Sequence, residues 1–195
     1  MLSLLLDSAN KELLVALYSD DKKIDEIRYE ARQRQSELMI PELDKIIKNN
    51  NIDPKNIDEI IVTQGPGSYT GVRIALTIAK IYAMSLNIPC YALSSLAVLK
   101  DKTKTSICLI NARSNRSYFA VYEANGNALI QDKVLPNTEV IEYINSHKDF
   151  AVCGDTTYLG IEGQNEDISF NMMSLKNESN KVDNILTLKA VYLKD

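Results

Sequence analysis

Histidine and cysteine are scarce in this chain of 195 residues, and their scarcity excludes several kinds of catalytic site. The one histidine, His147, cannot form a paired-histidine zinc site or an HExxH motif. A Ser-His-Asp site would have to use it, yet no serine lies in a G-x-S-x-G sequence. We therefore expect His147 to be exposed or to cap a helix. The three cysteines, Cys90, Cys108 and Cys153, lie far apart in apolar stretches, which predicts buried free thiols.

Long apolar runs and excess positive charge are also missing. The opening run Met1–Leu6 is too short to span a membrane, has no basic residues before it and is followed at once by Asp7. A formal net charge of −4 argues against strong binding of nucleic acid by the chain alone, because phosphate contacts need clustered lysine and arginine. We therefore expect a cytoplasmic protein without a membrane segment.

A glycine-rich stretch, Gly65–Gly71 (GPGSYTG), organises the middle of the chain. The apolar run Ile57–Thr63 precedes it, and the run Val72–Leu86, without glycine or proline, follows it; this order predicts a strand, a tight loop and a helix. Ser68 and Thr70 are candidate N-caps of that helix. A P-loop has a lysine and a hydroxyl residue directly after its last glycine, whereas Val72 and Arg73 follow Gly71 here. The glycine spacing also differs from the G-x-G-x-x-G of dinucleotide-binding loops. We therefore expect it to permit close packing rather than to bind phosphate.

The predicted helix Val72–Leu86 has no wide polar face. Only Arg73, Thr77, Lys80 and Ser85 interrupt its apolar residues. A helix that is apolar nearly all round is buried on more than one side. One side can pack on the strand before it. The other side needs a second cover, which is either more of this chain or a partner protein.

The order of strand and helix signals divides the chain into two related halves. Five strands with helices between them predict an α/β unit over residues 1–101. Residues 102–195 begin with the same order of three strands and a helix, so we predict an internal duplication and a two-lobed α/β fold.

Several local signals place the elements within these halves. In the first half, Ser36 is expected to cap a helix whose inward stripe contains Met39, Ile40, Leu43, Ile46 and Ile47. In the second half we predict a turn at Asn111–Arg113 and a helix capped by Asn137 or Thr138.

Asp7 follows an apolar strand, where sugar kinases and actin-like ATPases keep a carboxylate for metal and phosphate. The matching turn of the second half, Asn111–Arg113, has no carboxylate, and the glycine-rich adenosine loop of such proteins is absent. The sequence therefore suggests an ATPase-like ancestor that has lost its nucleotide chemistry. We expect Asp7 to cap a turn.

The stretch Gly65–Lys80 (GPGSYTGVRIALTIAK) resembles the hallmark of the TsaB (YeaZ) family of tRNA threonylcarbamoyladenosine biosynthesis proteins. Weaker resemblances follow in the family's order at Leu4–Ala9, Ser36–Leu43, Ile110–Tyr122 and Val191–Lys194. The resemblance implies an actin/Hsp70/sugar-kinase-like (ribonuclease H-like) fold with two lobes, each a mixed sheet with flanking helices. The lobes would be residues 1–101, with the dimerisation helices, and residues 102–195, which are shortened.

The resemblance also implies a role as a non-catalytic partner. Members of this family bind and activate TsaD, which transfers a threonylcarbamoyl group to the adenosine next to the anticodon in tRNAs that read codons beginning with A. The ATPase TsaE joins the larger complex. We expect no cofactor on this chain alone, ATP used by the assembled complex, a homodimer when the chain is alone, and contact with tRNA only through the complex.

The family builds its dimers from the first helix and from the helix after the glycine loop, so the resemblance assigns the partner contacts to these helices. The expected contact residues are Leu38, Met39, Leu43, Ile46, Val72, Ile74, Ile78, Ile81 and Tyr82. The loop residues Gly65, Pro66, Gly67, Ser68, Tyr69, Thr70 and Gly71 are expected to set where the second helix starts and how deeply it lies.

This sequence departs from the family at two positions and in one region. Gln35 stands where the family usually has histidine, and Asn111 where it has aspartate; both changes weaken any assignment of metal or nucleotide chemistry. The region 154–188 is short, so the last helix of the second lobe is trimmed or missing. Two alternatives stay open: a regulator that binds ATP or ADP in the interlobe cleft, and a glycopeptidase-like hydrolase, which would need an activated nucleophile.

Overall fold

The first lobe is a five-stranded mixed sheet with two helices on one face. The computed structural model describes residues 1–164 and 166–193. The strands lie in the order β3-β2-β1-β4-β5, with β1–β3 antiparallel and β4 and β5 parallel to β1. The elements are β1 (Leu2–Asp7), β2 (Glu12–Ser19), β3 (Lys22–Glu30), α1 (Gln35–Asn49), β4 (Glu59–Thr63), α2 (Tyr69–Leu86) and β5 (Cys90–Leu93).

The second lobe repeats the topology of the first four strands. Its sheet has the order β8-β7-β6-β9, again an antiparallel meander followed by a strand parallel to the first. The elements are β6 (Ser106–Arg113), β7 (Arg116–Tyr122), β8 (Ala128–Pro136), α3 (Asn137–Ser146), β9 (Ala151–Gly154) and α4 (Ile168–Leu175). The topology agrees with the predicted duplication, and α4 lies in the region expected to be short. Lys194, the last residue of the closing motif, lies outside the described residues, as does Asp195.

The alternation of side chains along β1 explains how the layers form. Leu4 and Leu6 pack in the cluster under α1 and α2, whereas Leu5 points to the other face of the sheet. There Leu5 joins a cluster that includes Cys108 of β6 and Met172 of α4, so the two sheets share one middle layer. A third cluster, centred on Phe119, fills the space under α3.

Two predictions about α1 are wrong. The helix begins at Gln35 with Arg34 at the N-cap position and no side-chain cap, so Ser36 does not cap it. Ile40 does not face inward either, because its side chain is 63% exposed. The other four members of the predicted stripe, Met39, Leu43, Ile46 and Ile47, are buried as expected.

Two predictions about the second lobe are also wrong. Asn111 does not begin a turn, because it pairs with Ser117 and the hairpin closes later, where Arg113, Ser114 and Asn115 all have positive φ. The helix α3 has no side-chain cap. Asn137 instead accepts a hydrogen bond from the Ser117 hydroxyl at 2.9 Å, so its side chain is used between elements rather than along the helix.

Among the helices described, none is long and apolar enough to cross a bilayer.

Candidate functional site

The glycine loop Gly65–Gly71 is pressed against the turn that follows β1. A Cβ atom on Gly67 would lie 2.1 Å from the Ala9 carbonyl oxygen, and one on Gly71 would lie 1.9 Å from the Ser8 carbonyl oxygen. The Ser8 hydroxyl donates to the Gly71 carbonyl oxygen at 2.8 Å. Only glycine permits this approach, which agrees with a loop for close packing.

The loop also starts α2. The Ser68 hydroxyl accepts a hydrogen bond from the Gly71 amide at 3.3 Å, so Ser68 is the N-cap and Thr70 lies inside the helix. On the sheet side, α2 buries mainly small residues, among them Ala75, Ala79 and Ala83. Small side chains let the helix axis lie close to β1 and β4.

The C-terminal segment, residues 176–193, supplies part of the second cover that α2 needs. Leu188 is buried in the same cluster as the inner face of α2, with Ile185 packed against it. The segment is tied to the first lobe along its length. Its ties are Lys176 Nζ to Glu59 Oε1 at 2.6 Å, the Val182 amide to the Cys90 carbonyl at 2.9 Å, Lys80 Nζ to the Leu186 carbonyl at 3.5 Å and the Val191 amide to the Gln64 carbonyl at 2.7 Å.

The opposite flank of α2 remains open. A groove of about 400 Å³ runs between α1 and α2. Its lining residues are Ser36, Ile40, Tyr69, Thr70, Arg73, Ile74, Thr77 and Ile78. Further along the same flank, Ile81 is 57% exposed and Met84 is 54% exposed. We call the groove together with Ile81 and Met84 the helical face. Contiguous exposed apolar surface of this kind is typical of interaction sites.

The nine residues predicted to contact a partner differ in how exposed their side chains are. Five are buried in the chain's own core: Met39, Leu43, Ile46, Val72 and Ile78. Leu38, Ile74 and Tyr82 are half-buried, and Ile81 is exposed. Of these four, Ile74 lines the groove and Ile81 belongs to the helical face, whereas Leu38 and Tyr82 pack against the core cluster and are not among the residues of the face.

Sequence reasoning missed Ile40 and Met84 as surface residues of this face. Helical spacing could have found Met84, because Ile74, Ile81 and Met84 follow one another at intervals of seven and three residues.

Asp7 lies at the other end of the glycine loop's contacts and is 1% exposed. Its Oδ1 atom accepts hydrogen bonds from the Ala9 amide at 3.1 Å and from the Thr63 hydroxyl. Burial raises the pKa of this carboxyl above its ordinary value. These contacts are those of a residue that caps the turn, as expected. Gln35 supports the same turn, since its Nε2 donates to the Asn10 carbonyl oxygen at 3.0 Å.

The cleft between the lobes holds a cavity of about 220 Å³. Arg28 donates to Glu12 Oε2 through Nη2 at 2.7 Å and to the Glu166 carbonyl oxygen through Nη1 at 2.5 Å. Lys11 forms an ion pair with Asp155 at 3.3 Å. Glu166 Oε1 accepts from the Gly154 amide at 2.6 Å, and burial raises the pKa of its carboxyl. The charged side chains of the cleft therefore already have partners within the chain.

Outside the cleft, we looked for a reactive nucleophile among the cysteines and His147 and for a group of side chains that could bind a metal ion. All three cysteines are buried, and burial raises the pKa of Cys90 to about 12. His147 follows α3 as its C-cap, stacks on Tyr143 with ring centroids 4.0 Å apart and has Nδ1 2.9 Å from the Tyr143 carbonyl oxygen. Within residues 1–164 and 166–193, no group of three or more His, Cys, Asp or Glu side chains could hold a metal ion.

Comparison with known proteins identifies consistent relatives. The family model described as "TsaD: tRNA N6-adenosine threonylcarbamoyltransferase" matches residues 29–180. The chain is 33% identical over 145 residues to the tRNA threonylcarbamoyladenosine biosynthesis protein TsaB of Bacillus subtilis, covering 72% of this chain and 62% of that protein. It is 27% identical to the uncharacterized protein MG208 of Mycoplasma genitalium, covering 98% of this chain and 94% of that protein.

The matched part of the chain spans roughly three fifths of the length of several TsaB relatives, 62%, 54% and 62% in three of them. Among solved structures, YeaZ from Pseudomonas aeruginosa superposes with a TM-score of 0.80 at 22% identity, covering 98% of this chain and 99% of that one. That likeness, with the repeated sheet topology, confirms the predicted fold of two lobes, each a mixed sheet with flanking helices.

Proposed function

Because this chain belongs to the family described as TsaD, tRNA N6-adenosine threonylcarbamoyltransferase, and within it to the TsaB (YeaZ) proteins, we propose that it is a non-catalytic partner of TsaD. In this role it binds and activates TsaD for transfer of threonylcarbamoyl to the adenosine next to the anticodon in tRNAs that read codons beginning with A. TsaE joins the complex, and ATP is used by the assembly. The chain forms a homodimer when alone and meets tRNA only through the complex.

The observation that carries the proposal is the helical face. Ile40, Ile81 and Met84 are each more than half exposed and lie beside the half-buried Ile74. Covering such side chains removes apolar surface from water, which is the main driving force of most protein association. The buried residues beneath them make the face rigid. TsaD or a second copy of this chain would therefore dock on a surface that is already formed.

The cleft supports a role without chemistry. Arg28, Lys11 and Glu166 are each engaged by groups of this chain, so binding a charged substrate there would first break existing contacts. The cavity of about 220 Å³ is also smaller than the roughly 300–1,000 Å³ of ordinary ligand pockets. These features favour the partner role over the nucleotide-binding regulator. The hydrolase alternative would need an activated nucleophile, and the buried thiols do not supply one.

The proposal is tested by measuring the binding of purified TsaD to wild-type chain and to Ile81→Asp. Ile81 is suited to this because it is 57% exposed in the free chain, whereas Ile78 is 7% exposed and its replacement would also disturb the core. An aspartate buried in an apolar interface without a partner should weaken binding by about 100-fold or more. The free energy of unfolding should stay within about 0.5 kcal/mol of wild type.

The matched control is Ile141→Asp on α3, which replaces an isoleucine of the same kind on a surface helix of the other lobe, where it is 38% exposed. We expect it to bind TsaD like wild type. Equal loss of binding in both variants, or co-elution of Ile81→Asp with TsaD, would contradict the proposed interface. Failure of the wild-type chain to bind TsaD at all would contradict the proposed function.

A further inference from the structure

Arg73 is the one charged residue that lines the groove between α1 and α2; the other lining side chains are neutral. It lies in the first turns of α2, where the helix has no acidic residue in its first turn. A cation at this end of a helix is disfavoured by the helix dipole.

The guanidinium of Arg73 has a partner for only part of its hydrogen-bonding capacity. Its Nη1 donates to the Tyr69 hydroxyl, and its Cζ lies 4.9 Å from the centroid of the Tyr69 ring. Across residues 1–164 and 166–193 we find no carboxylate in an ion pair with it. Its other N–H groups are therefore available to a second molecule.

The C-terminal segment contacts Tyr69, the residue to which this arginine is bonded. Tyr192 stacks on Tyr69 with ring centroids 5.3 Å apart and an interplanar angle of 25°. The neighbouring Val191 amide is anchored to the Gln64 carbonyl oxygen at 2.7 Å. Tyr69 is thus held from one side by the tail while it contacts Arg73. A side chain held in this way loses less conformational entropy when a partner arrives.

We propose that Arg73, positioned by Tyr69 and Tyr192, selects a partner that places a carboxylate against it at the N-terminal end of α2. This inference rests on the proposed function, because it names the chemistry of the TsaD surface that covers the helical face. A protein covering the groove removes water from the guanidinium, and this desolvation is unfavourable unless the partner supplies an acceptor. A carboxylate accepts two parallel hydrogen bonds from a guanidinium, and these charge-assisted bonds are stronger than those to a neutral acceptor.

The two parts of the helical face then have different tasks. The apolar part, with Ile40, Ile81 and Met84, supplies most of the affinity but accepts many apolar surfaces. Arg73 rejects those that lack an acidic group, because they would leave its charge buried and unpaired. The exposed tail residue Tyr192 belongs to the same surface, although it lies more than a hundred positions from Arg73 in the sequence.

The test is titration of TsaD with the full chain and four variants at low and at high salt. Arg73→Gln should bind about tenfold more weakly at low salt, and its affinity should depend less on salt than that of wild type. Arg73→Lys should recover part of the loss, since it keeps the charge without the fork. Arg113→Gln, at an exposed arginine of the β6–β7 hairpin, is the matched control and should bind like wild type.

Two further results decide the inference. Tyr192→Ala should weaken binding by a few fold, less than Arg73→Gln, because it loosens the arginine without removing it. If Arg73→Gln binds as tightly as wild type, or loses affinity with an unchanged salt dependence, the carboxylate inference is wrong while the apolar interface stands. If the wild-type chain does not bind TsaD, both the inference and the proposed function are wrong.

Discussion

On the helical face, three large apolar side chains are more than half exposed, whereas in the interlobe cleft each charged side chain meets a group of the same chain. Both regions flank the turn after β1, yet the first leaves large apolar side chains exposed and the second pairs its charged side chains within the chain. Ile40, Ile81 and Met84 are 63%, 57% and 54% exposed. In the cleft, Arg28 of β3 donates to Glu12 in the first lobe and to the Glu166 carbonyl oxygen in the second lobe.

We interpret the helical face as a surface for another molecule and the cleft as a contact that holds the two lobes together. A cleft whose charged side chains are paired with groups of both lobes holds the lobes together. On the helical face, large apolar side chains remain exposed to solvent. Changes in the cleft should therefore alter stability, and changes on the helical face should alter association.

The largest expected effect comes from the glycine loop that starts α2. Gly71→Ala should lower the free energy of unfolding by about 3 kcal/mol or more, because its Cβ would lie 1.9 Å from the Ser8 carbonyl oxygen and backbone must move. Urea unfolding measures the change. The control is Gly160→Ala, at φ +70° with no atom within 4 Å of the new Cβ, which should cost only about 1–2 kcal/mol from backbone strain. Similar losses in both variants would contradict close packing of the loop.

A smaller effect is expected inside the cleft. Arg28→Met removes three hydrogen bonds and leaves Glu12 and the Glu166 carbonyl without their donor, which should cost about 1–3 kcal/mol. Binding of TsaD should stay within about twofold of wild type, because the helical face is untouched. The control Lys11→Met breaks the more exposed ion pair with Asp155 and should cost less than about 1 kcal/mol. A large loss of TsaD binding in stable Arg28→Met would end the separation between the two regions.

The smallest effect concerns Asp7 and appears as a pH dependence. Burial raises the pKa of Asp7 in the folded chain above its ordinary value of 3.8, so the folded state holds the proton more tightly than the unfolded state. The contribution of Asp7 to stability is therefore greatest below the unfolded pKa and is lost as the pH rises through the folded pKa. Asp7→Asn lacks this titration but keeps an Oδ1 acceptor for the Ala9 amide.

We expect the difference in unfolding free energy between wild type and Asp7→Asn to shift in favour of the variant as the pH rises from about 3 towards 7. Parallel stability curves over that range would show that Asp7 titrates as it does in the unfolded chain. Thr63→Ser, which keeps a hydroxyl beside Asp7, serves as the control and should leave the shape of the wild-type curve unchanged.

The sequence predicted the parts of the fold that depend on near neighbours. The spacing of Gly65, Gly67 and Gly71 before the apolar run located the loop and the helix after it, and it narrowed the cap to Ser68 or Thr70, although α2 begins at Tyr69, three residues before the predicted Val72. The same local signals failed where a side chain chose a distant partner. Asn137 bonds Ser117, twenty positions away, instead of capping its own helix.

The candidate site was predictable to a similar degree. The resemblance assigned the partner contacts to α1 and α2, which stays a prediction, and only the structure separated the exposed residues of these helices from the buried ones. Five of the nine predicted contact residues proved to be core, and Ile40 proved to be surface. Tyr192 entered the site only because the tail returns to Gln64.

By itself, the sequence determined the strand–loop–helix at the glycines, the duplicated order of elements and an α2 too apolar to be left open all round. Only the tertiary structure decided which flank of α2 is covered and which is free, and that the cleft is closed. The physical reason is that helix formation and glycine turns depend on residues a few positions apart. Burial and ion pairing depend on contacts such as Lys80 with Leu186 and Lys11 with Asp155, 106 and 144 positions apart.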